Sequence, residues 1–151
     1  MLEHWPGMPL HLIKLCVGID EVEELEEWRR RRAAEARKRG RKPVIVHRTR
    51  MMPLRRAEIL EGGSLYWVIK GVVQVRAPIL DLVRVTAKDG TPMCEIRMAS
   101  KLIRTELMPR KAFQGWRYLA DAQAPSDLPA GTKAKNLPAG MAAELRALGL
   151  I

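Results

Sequence analysis

The chain moves between stretches with a period of two and stretches with a helical period. Residues 11–19, "HLIKLCVGI", are apolar on both faces apart from Lys14 and predict a first strand. Asp20 then stands as a helix N-cap, with Glu23 three residues on to complete a capping box. The helix is expected over about 21–39. Val22, Leu25, Trp28 (or Arg29), Arg32, Ala33 and Ala36 trace one side, and Gly40 is the stop. "PVIVHRTRM" (43–51) predicts a second strand. Pro53 opens a short helix that places Leu54, Ala57 and Leu60 on one face and ends at Gly62 and Gly63. A strand over 64–70 follows in "GGSLYWVIKG". Gly71 marks a bulge or tight bend, and 72–85 forms a long strand in which Pro78 must occupy a bulge or an edge. Asp89-Gly90 signals a hairpin into 93–99, where Cys94, Ile96 and Met98 point one way and Glu95 and Arg97 the other. Residues 101–108 give a sixth strand. "AFQGWRYL" (112–119) reads as a compact aromatic turn or short helix.

Six short strands with local hairpins, and helices before and after, predict an α+β fold: a curved, mostly antiparallel sheet or small barrel, with an N-terminal basic helix and a short C-terminal helix. The expected organisation is a disordered leader over 1–9, with Met8 as an alternative start, and a single domain over 10–119. A Pro/Ala/Gly-rich irregular segment over 120–139 and a helix over 140–151 follow. No run of 18 apolar residues exists, so no membrane insertion is expected. The N-terminus carries an acid and a histidine where a signal peptide requires positive charge. Cys16 and Cys94 are far apart and lie in apolar runs, as reduced core thiols do. These features point to the cytoplasm.

Charge changes the picture. The net charge is +10, unevenly placed: one lysine against seven acids in residues 1–28, then thirteen Lys and Arg against one acid in residues 29–56. Acids at the start of a helix and arginines at its end suit the helix dipole, so part of this asymmetry is local. Glu26 with Arg30 and Glu27 with Arg31 are favourable i,i+4 pairs. The remaining excess favours a polyanionic partner, nucleic acid first and an acidic membrane surface second.

Several chemistries lack their residues. The three serines form no G-x-S-x-G, the three histidines show no ligand spacing, and no phosphate-binding loop or dinucleotide fingerprint is present. No cofactor or metal is expected. Basic and aromatic residues in alternation remain. Trp67 belongs with Leu65 and Ile69, a core face, which leaves Tyr66, Val68 and Lys70 on the other. A strand lysine among apolar neighbours reaches solvent, pairs with an acid such as Asp81, or meets an anionic ligand. Gln74 and Arg76 line up on the next strand. In "MPRKAFQGWRYL", Arg110, Lys111 and Arg117 surround Phe113, Trp116 and Tyr118. Such rings stack bases while cations hold phosphates, or they plug one end of the sheet. Arg48, Arg50, Arg55 and Arg56 stand at a strand-to-helix junction suited to phosphate.

"LHLIKLCVG", "GGSLYWVIKG" and "FQGWRYL", in this order, resemble an uncharacterised family of small bacterial proteins, a domain of unknown function, over about Leu10 to Leu119. The resemblance implies no activity and assigns no site. At the level of fold, "RRAEILEGGSLYWVIKG" is similar to the layout of PUA-like and ASCH domains, small β-barrels with helical covers tied to RNA or modified nucleobases. The chain lacks the glutamate of a G-x-K-x-x-E-x-R element, so no ASCH-style catalytic role carries over.

The expected function is therefore binding of RNA or another polyanion, without catalysis. Arg48, Arg50, Arg55 and Arg56 would hold phosphates, and Tyr66, Lys70, Arg76, Trp116 and Arg117 would line a base or nucleotide pocket. One alternative is a small enzyme or binder of an anionic small molecule, with Lys70 beside Asp81 or Glu95. Another is a protein-interaction module using the acids from Glu21 to Glu27. The pattern fixes no oligomeric state.

Overall fold

The computed structural model describes residues 8–129. Seven strands and two helices alternate in the order β1 (Leu10–Leu15), α1 (Val22–Lys38), β2 (Val44–Thr49), α2 (Arg56–Ile59), β3 (Ser64–Ile69), β4 (Val72–Thr86), β5 (Pro92–Ala99), β6 (Ile103–Pro109) and β7 (Trp116–Ala120). A single turn of 3₁₀ helix, Asp121–Gln123, follows. The expected C-terminal helix lies outside the described residues, as do the first seven residues of the expected leader.

The strands form one mixed sheet in the order β2-β5-β4-β3-β1-β7, with β6 added to β4. Every pairing is antiparallel except β1 with β3. This bears out an α+β chain with a mostly antiparallel sheet. The sheet does not close: β2 and β7 end the path, and β6, paired only with β4, is a further edge. The stretch read as an aromatic turn or short helix is in fact β7, pairing Trp116, Arg117 and Tyr118 with Lys14, Ile13 and Leu12. Alternation over five residues beside glycine is too short to announce a strand, and its partner lies a hundred residues away in sequence.

β4 changes partner along its length. Its first part pairs β6 through Arg76, and its last part pairs β5 from Ile79 onward. Pro78 falls at the change of partner, where its missing N–H is harmless, and a bulge follows between Ile79 and Asp81. β3 lies between β1 and β4 and is buried along its whole length. Leu65, Trp67 and Ile69 face the main core with Leu10, Leu12, Ile45, Cys94, Ile96 and Met98. Tyr66 and Val68 face a second core with Ile13, Val73 and Leu119. Burial on both faces is why this strand is a continuous apolar run.

α1 lays Val22, Leu25, Arg29 and Ala33 against the sheet and ends at Gly40, whose φ is +71°. Its N-cap is Glu21 rather than Asp20, and no side chain caps it. Glu26 pairs with Arg104 on β6 at 2.6 Å instead of with Arg30. α2 is one turn, and it buries Ile59 while Leu54 stands in solvent. At Gly63 a Cβ would collide with the Leu10 carbonyl oxygen and sit 2.6 Å from that of Ile59, so only glycine lets the chain cross β1 here.

Candidate functional site

The edge strands β2 and β7 meet at one seam. The Trp116 indole N–H on β7 donates to the Met51 carbonyl just beyond β2, at 2.8 Å. A groove of about 670 Å³ lies along this seam, lined by Lys14, Arg48, Arg50, Trp116 and Arg117 with Thr49, Met51, Met93, Gln114 and Gly115. None of these residues is acidic. Arg48 is partly neutralised by Glu95 at 3.0 Å. Among the described residues, the side chains of Arg50 and Lys14 make no ion pair or hydrogen bond. Among the described residues Arg117 donates only to the carbonyls of Gln114 (2.8 Å) and Trp116 (3.1 Å), its guanidinium 5.3 Å from the Phe113 ring. Arg110 also lies over Phe113, at 5.4 Å.

Lys14 owes its place to register. It sits opposite Trp67 on β3 and Trp116 on β7, and its parity follows Leu10 and Leu12 into the main core face. A cation at the end of a core-facing row, flanked by two indoles, keeps its stem among apolar groups and its ammonium at the opening.

A second cavity adjoins Lys14 on the other side. It holds about 320 Å³ between β1, β2, β3 and α1, and its walls include Cys16, Leu25, Arg29, Ile45, His47 and Trp67. The His47 and Trp67 rings meet edge to face, centroids 5.1 Å apart and planes at 87°. His47 Nε2 and Trp67 Nε1 are both buried, and neither has a hydrogen-bond partner among the described residues. Burial, aided by Lys14, pushes the His47 pKa down to about 4, so the imidazole is neutral at pH 7. Burial also pushes the Cys16 thiol up to about 11, which keeps it protonated. Arg29 is drawn down to about 10 by burial and stays cationic. It donates to the carbonyls of Ser100 (3.2 Å) and Ala99 (2.5 Å).

The groove thus brings together Arg48, Arg50, Trp116 and Arg117 from the sequence-derived set. The other members lie elsewhere. Arg55 pairs with Glu58 at 2.5 Å, and its backbone N–H donates to the Tyr118 hydroxyl. Arg56 holds Asp81 at 2.6 Å and the Leu82 carbonyl at 2.7 Å. Tyr66 is core, its phenol pushed up to about 12 by burial. Arg76 grips both carboxylate oxygens of Asp127 at 2.8 Å and reaches the Ser64 hydroxyl at 2.7 Å.

Lys70 departs furthest from expectation. The strand stops at Ile69, and Lys70 and Gly71 form a two-residue hairpin with φ of +48° and +76°. Its side chain is 66% exposed, 3.7 Å from an equally exposed Asp20. It shares no face with Tyr66. Asp81 and Glu95, its expected acid partners, are taken by Arg56 and by Arg48 with Arg97. Within the run Glu21 to Glu27, Glu23 and Glu26 bind Arg104 and Glu27 binds Arg30 and Arg31, while Glu21 and Glu24 are exposed.

Two features escaped the sequence reading. Lys14 was visible as a lone cation in an apolar run, but only the pairing of β1 with β3 and β7 puts it between two tryptophans. A buried network around His11 had no local signal. His11 Nδ1 accepts from the Ser64 backbone N–H at 3.0 Å, which leaves Nε2–H to donate to Asp121 at 2.8 Å. Ser64 is one side chain further from Arg76 and Asp127. The Ser64 hydroxyl is held by Arg76 and not by the imidazole, so the trio is a structural tie rather than a nucleophile with its base. It fastens the segment after β7, whose Asp127 bridges Thr105 on β6.

Among the described residues no helix is long and apolar enough to cross a membrane. Residues 12–151 match the family described as "Protein of unknown function (DUF1489)". No curated protein and no solved structure matches the chain.

Proposed function

The chain belongs to this family of proteins of unknown function, and we propose from its own geometry that it is a cytoplasmic, non-catalytic binder of single-stranded RNA, gripping the strand along the seam between β2 and β7. The observation that carries this reading is a groove whose lining includes Lys14, Arg48, Arg50, Trp116 and Arg117 and no acid. Cations spaced along a groove follow a phosphate backbone, and an indole in its wall stacks a base of any sequence. The basic end of α1 adds to this. Among the described residues Arg37, Lys38, Arg41 and Lys42 make no ion pair, and Arg41 and Lys42 lead directly into β2, so they supply long-range attraction. The curled sheet under a covering helix is also in keeping with a PUA-like layout, which we propose as its fold relationship.

The test is fluorescence anisotropy of a short labelled single-stranded RNA across a salt series. Four cations released from phosphates at about 0.7 each give a slope of log K against log salt of about −3. Lys14→Met, Arg50→Ala and Arg117→Ala should each weaken binding and flatten the slope by about 0.7. Absence of binding at low salt would end the reading.

A further inference from the structure

The RNA reading makes no use of the outer side of β2 along its first half. β2 pairs only with β5, in a register that runs from Val44 to Thr49 without a shift. Besides that pairing, no backbone hydrogen bond reaches residues 45–49 among the described residues. Exposed edges are ordinarily blunted by proline, charge or a bulge, because their free N–H and C=O groups recruit further strands. Val44, Ile45, Val46 and His47 offer none of these: no proline, no bulge, and an imidazole that is neutral at pH 7. The edge at β6 is handled differently. Its outer side takes the 126–128 segment, the Glu106 N–H donating to the Ser126 carbonyl and the Leu128 N–H to that of Arg104, both at 2.8 Å.

Beside the bare stretch lies a groove of about 350 Å³ between α1 and β2. Three consecutive residues, Val44, Ile45 and Val46, line it, so it borders the edge of the strand rather than one of its faces. The far wall is α1, with Trp28, 38% exposed, and Arg32, whose guanidinium lies 4.8 Å from the Trp28 ring. Val46 is 44% exposed. A bare strand edge beside apolar side chains is the frame to which an extended peptide adds as a further strand.

Charge narrows the occupant. Arg39, Arg41 and Lys42 also line the groove, and its one acid, Glu35, is held by Arg39 at 3.0 Å. Among the described residues Arg32, Arg41 and Lys42 make no ion pair. Three free cations and two exposed apolar side chains match acids and apolar residues in one extended segment. A second copy of this chain fits poorly, because it would set the same cations against these and carries a net charge of +10. A nucleic acid brings no backbone amides to the strand edge.

We infer that the groove between α1 and β2 docks an extended acidic segment of a partner protein. The segment pairs with the β2 edge over residues 44–47, lays apolar side chains against Trp28 and Val46, and sets its carboxylates toward Arg32, Arg41 and Lys42. This site is separate from the RNA groove, which meets β2 only from Arg48 onward.

The probe is a labelled peptide of alternating glutamate and valine, titrated against the full chain by anisotropy at low salt, with its lysine–valine counterpart as control. The glutamate peptide should bind about tenfold tighter or more. At saturation, alternate amides within residues 44–47 should exchange with solvent about tenfold more slowly, the mark of a strand added there and not of charge alone. Arg41→Glu combined with Lys42→Glu should weaken the peptide by about tenfold, and Val46→Lys, which puts a charge on the edge, should do the same. All three positions are exposed, and the amide readout needs no variant. Arg50→Ala should leave the peptide within about threefold. No binding at low salt, equal binding of the lysine peptide, or binding that leaves these amides unprotected overturns the inference. So does protection of the same amides by RNA that displaces the peptide, or by self-association of the chain without it. RNA binding that depends on Arg50 and Arg117 survives each of these results, and its own failure leaves the peptide site standing.

Discussion

The Trp116 indole N–H and the Met51 carbonyl oxygen, 2.8 Å apart, form the clasp between the edge strands β2 and β7. Trp116 therefore has two separable parts: its N–H holds the seam, and its ring, 4.9 Å from that of Tyr118, is part of the groove lining. Trp116→Phe removes the bond and keeps a ring. It should lower stability by about 1 kcal/mol in urea unfolding and leave RNA affinity within threefold. Trp116→Ala removes both and should weaken RNA by about 1–3 kcal/mol, the usual worth of one stacked base. Equal loss of affinity in the two variants would show that the clasp, not the stacking face, matters.

Arg50, one residue past β2, and Arg76, within β4, should behave oppositely. Arg76 holds Asp127 through two bonds and touches the buried Ser64. Arg76→Ala strands both partners and should destabilise by about 2–3 kcal/mol, releasing the segment that follows β7 to proteolysis. RNA affinity of the molecules that remain folded should not change. Arg50→Ala should leave the unfolding midpoint alone and flatten the salt slope. A thermal melt beside an anisotropy series separates the two. Parallel effects in both variants would contradict the division of the arginines into structural and groove-lining sets.

That division shows what the sequence could and could not reveal. Period-two alternation located β1 to β6 within a few residues, because one or both faces of each strand enter a core. Pro78 and Asp89-Gly90 carried their own meaning, and both stand where their backbone chemistry requires. Whether an arginine is free depends instead on acids far along the chain: Asp127 for Arg76, Asp81 for Arg56, Glu95 for Arg48. No local pattern records these pairs. Tyr66 and Lys70 illustrate a second limit. Parity puts them on one face only if the strand continues, and it stops one residue before Lys70, at a turn that would ordinarily announce itself with asparagine. Lys14 was legible as an oddity and illegible as a site, since its neighbours come from β3 and β7.

The Lys70 turn yields a direct prediction. Lysine at φ of +48° is strained, whereas Asn-Gly is the favoured pair for a two-residue hairpin. Lys70→Asn should raise stability by about 0.5–1 kcal/mol despite removing a charge from beside Asp20, because that exposed pair contributes little. RNA affinity should fall by no more than the loss of one distant cation implies, under twofold. A large loss of affinity would return Lys70 to the site.

Acid should unfold the protein through its buried imidazoles. His47 is held down to about 4 by burial, with Lys14 adding to it, and His11 is lowered by burial despite the opposing pull of Asp121. In the unfolded chain both return to about 6.5. Below pH 6.5 the unfolded chain therefore binds protons that the folded one refuses, and the equilibrium shifts toward unfolding. For His47 the loss runs at up to about 1.4 kcal/mol per pH unit between 6.5 and 4, about 3 kcal/mol in all, and nothing is lost above that window. Asp127, whose carboxyl Arg76 holds below the usual range, acts only lower, where protonation breaks its bonds to Arg76. Urea midpoints measured from pH 7.5 to 4 should fall steadily below 6.5. His47→Leu should flatten the slope in that window while His11 keeps a remainder. An unchanged slope in His47→Leu would mean that His47 takes up its proton in the folded state as readily as in the unfolded one. The imidazole would then be charged at mildly acid pH, and binding of an anionic ligand beside Lys14 should strengthen there instead of staying level.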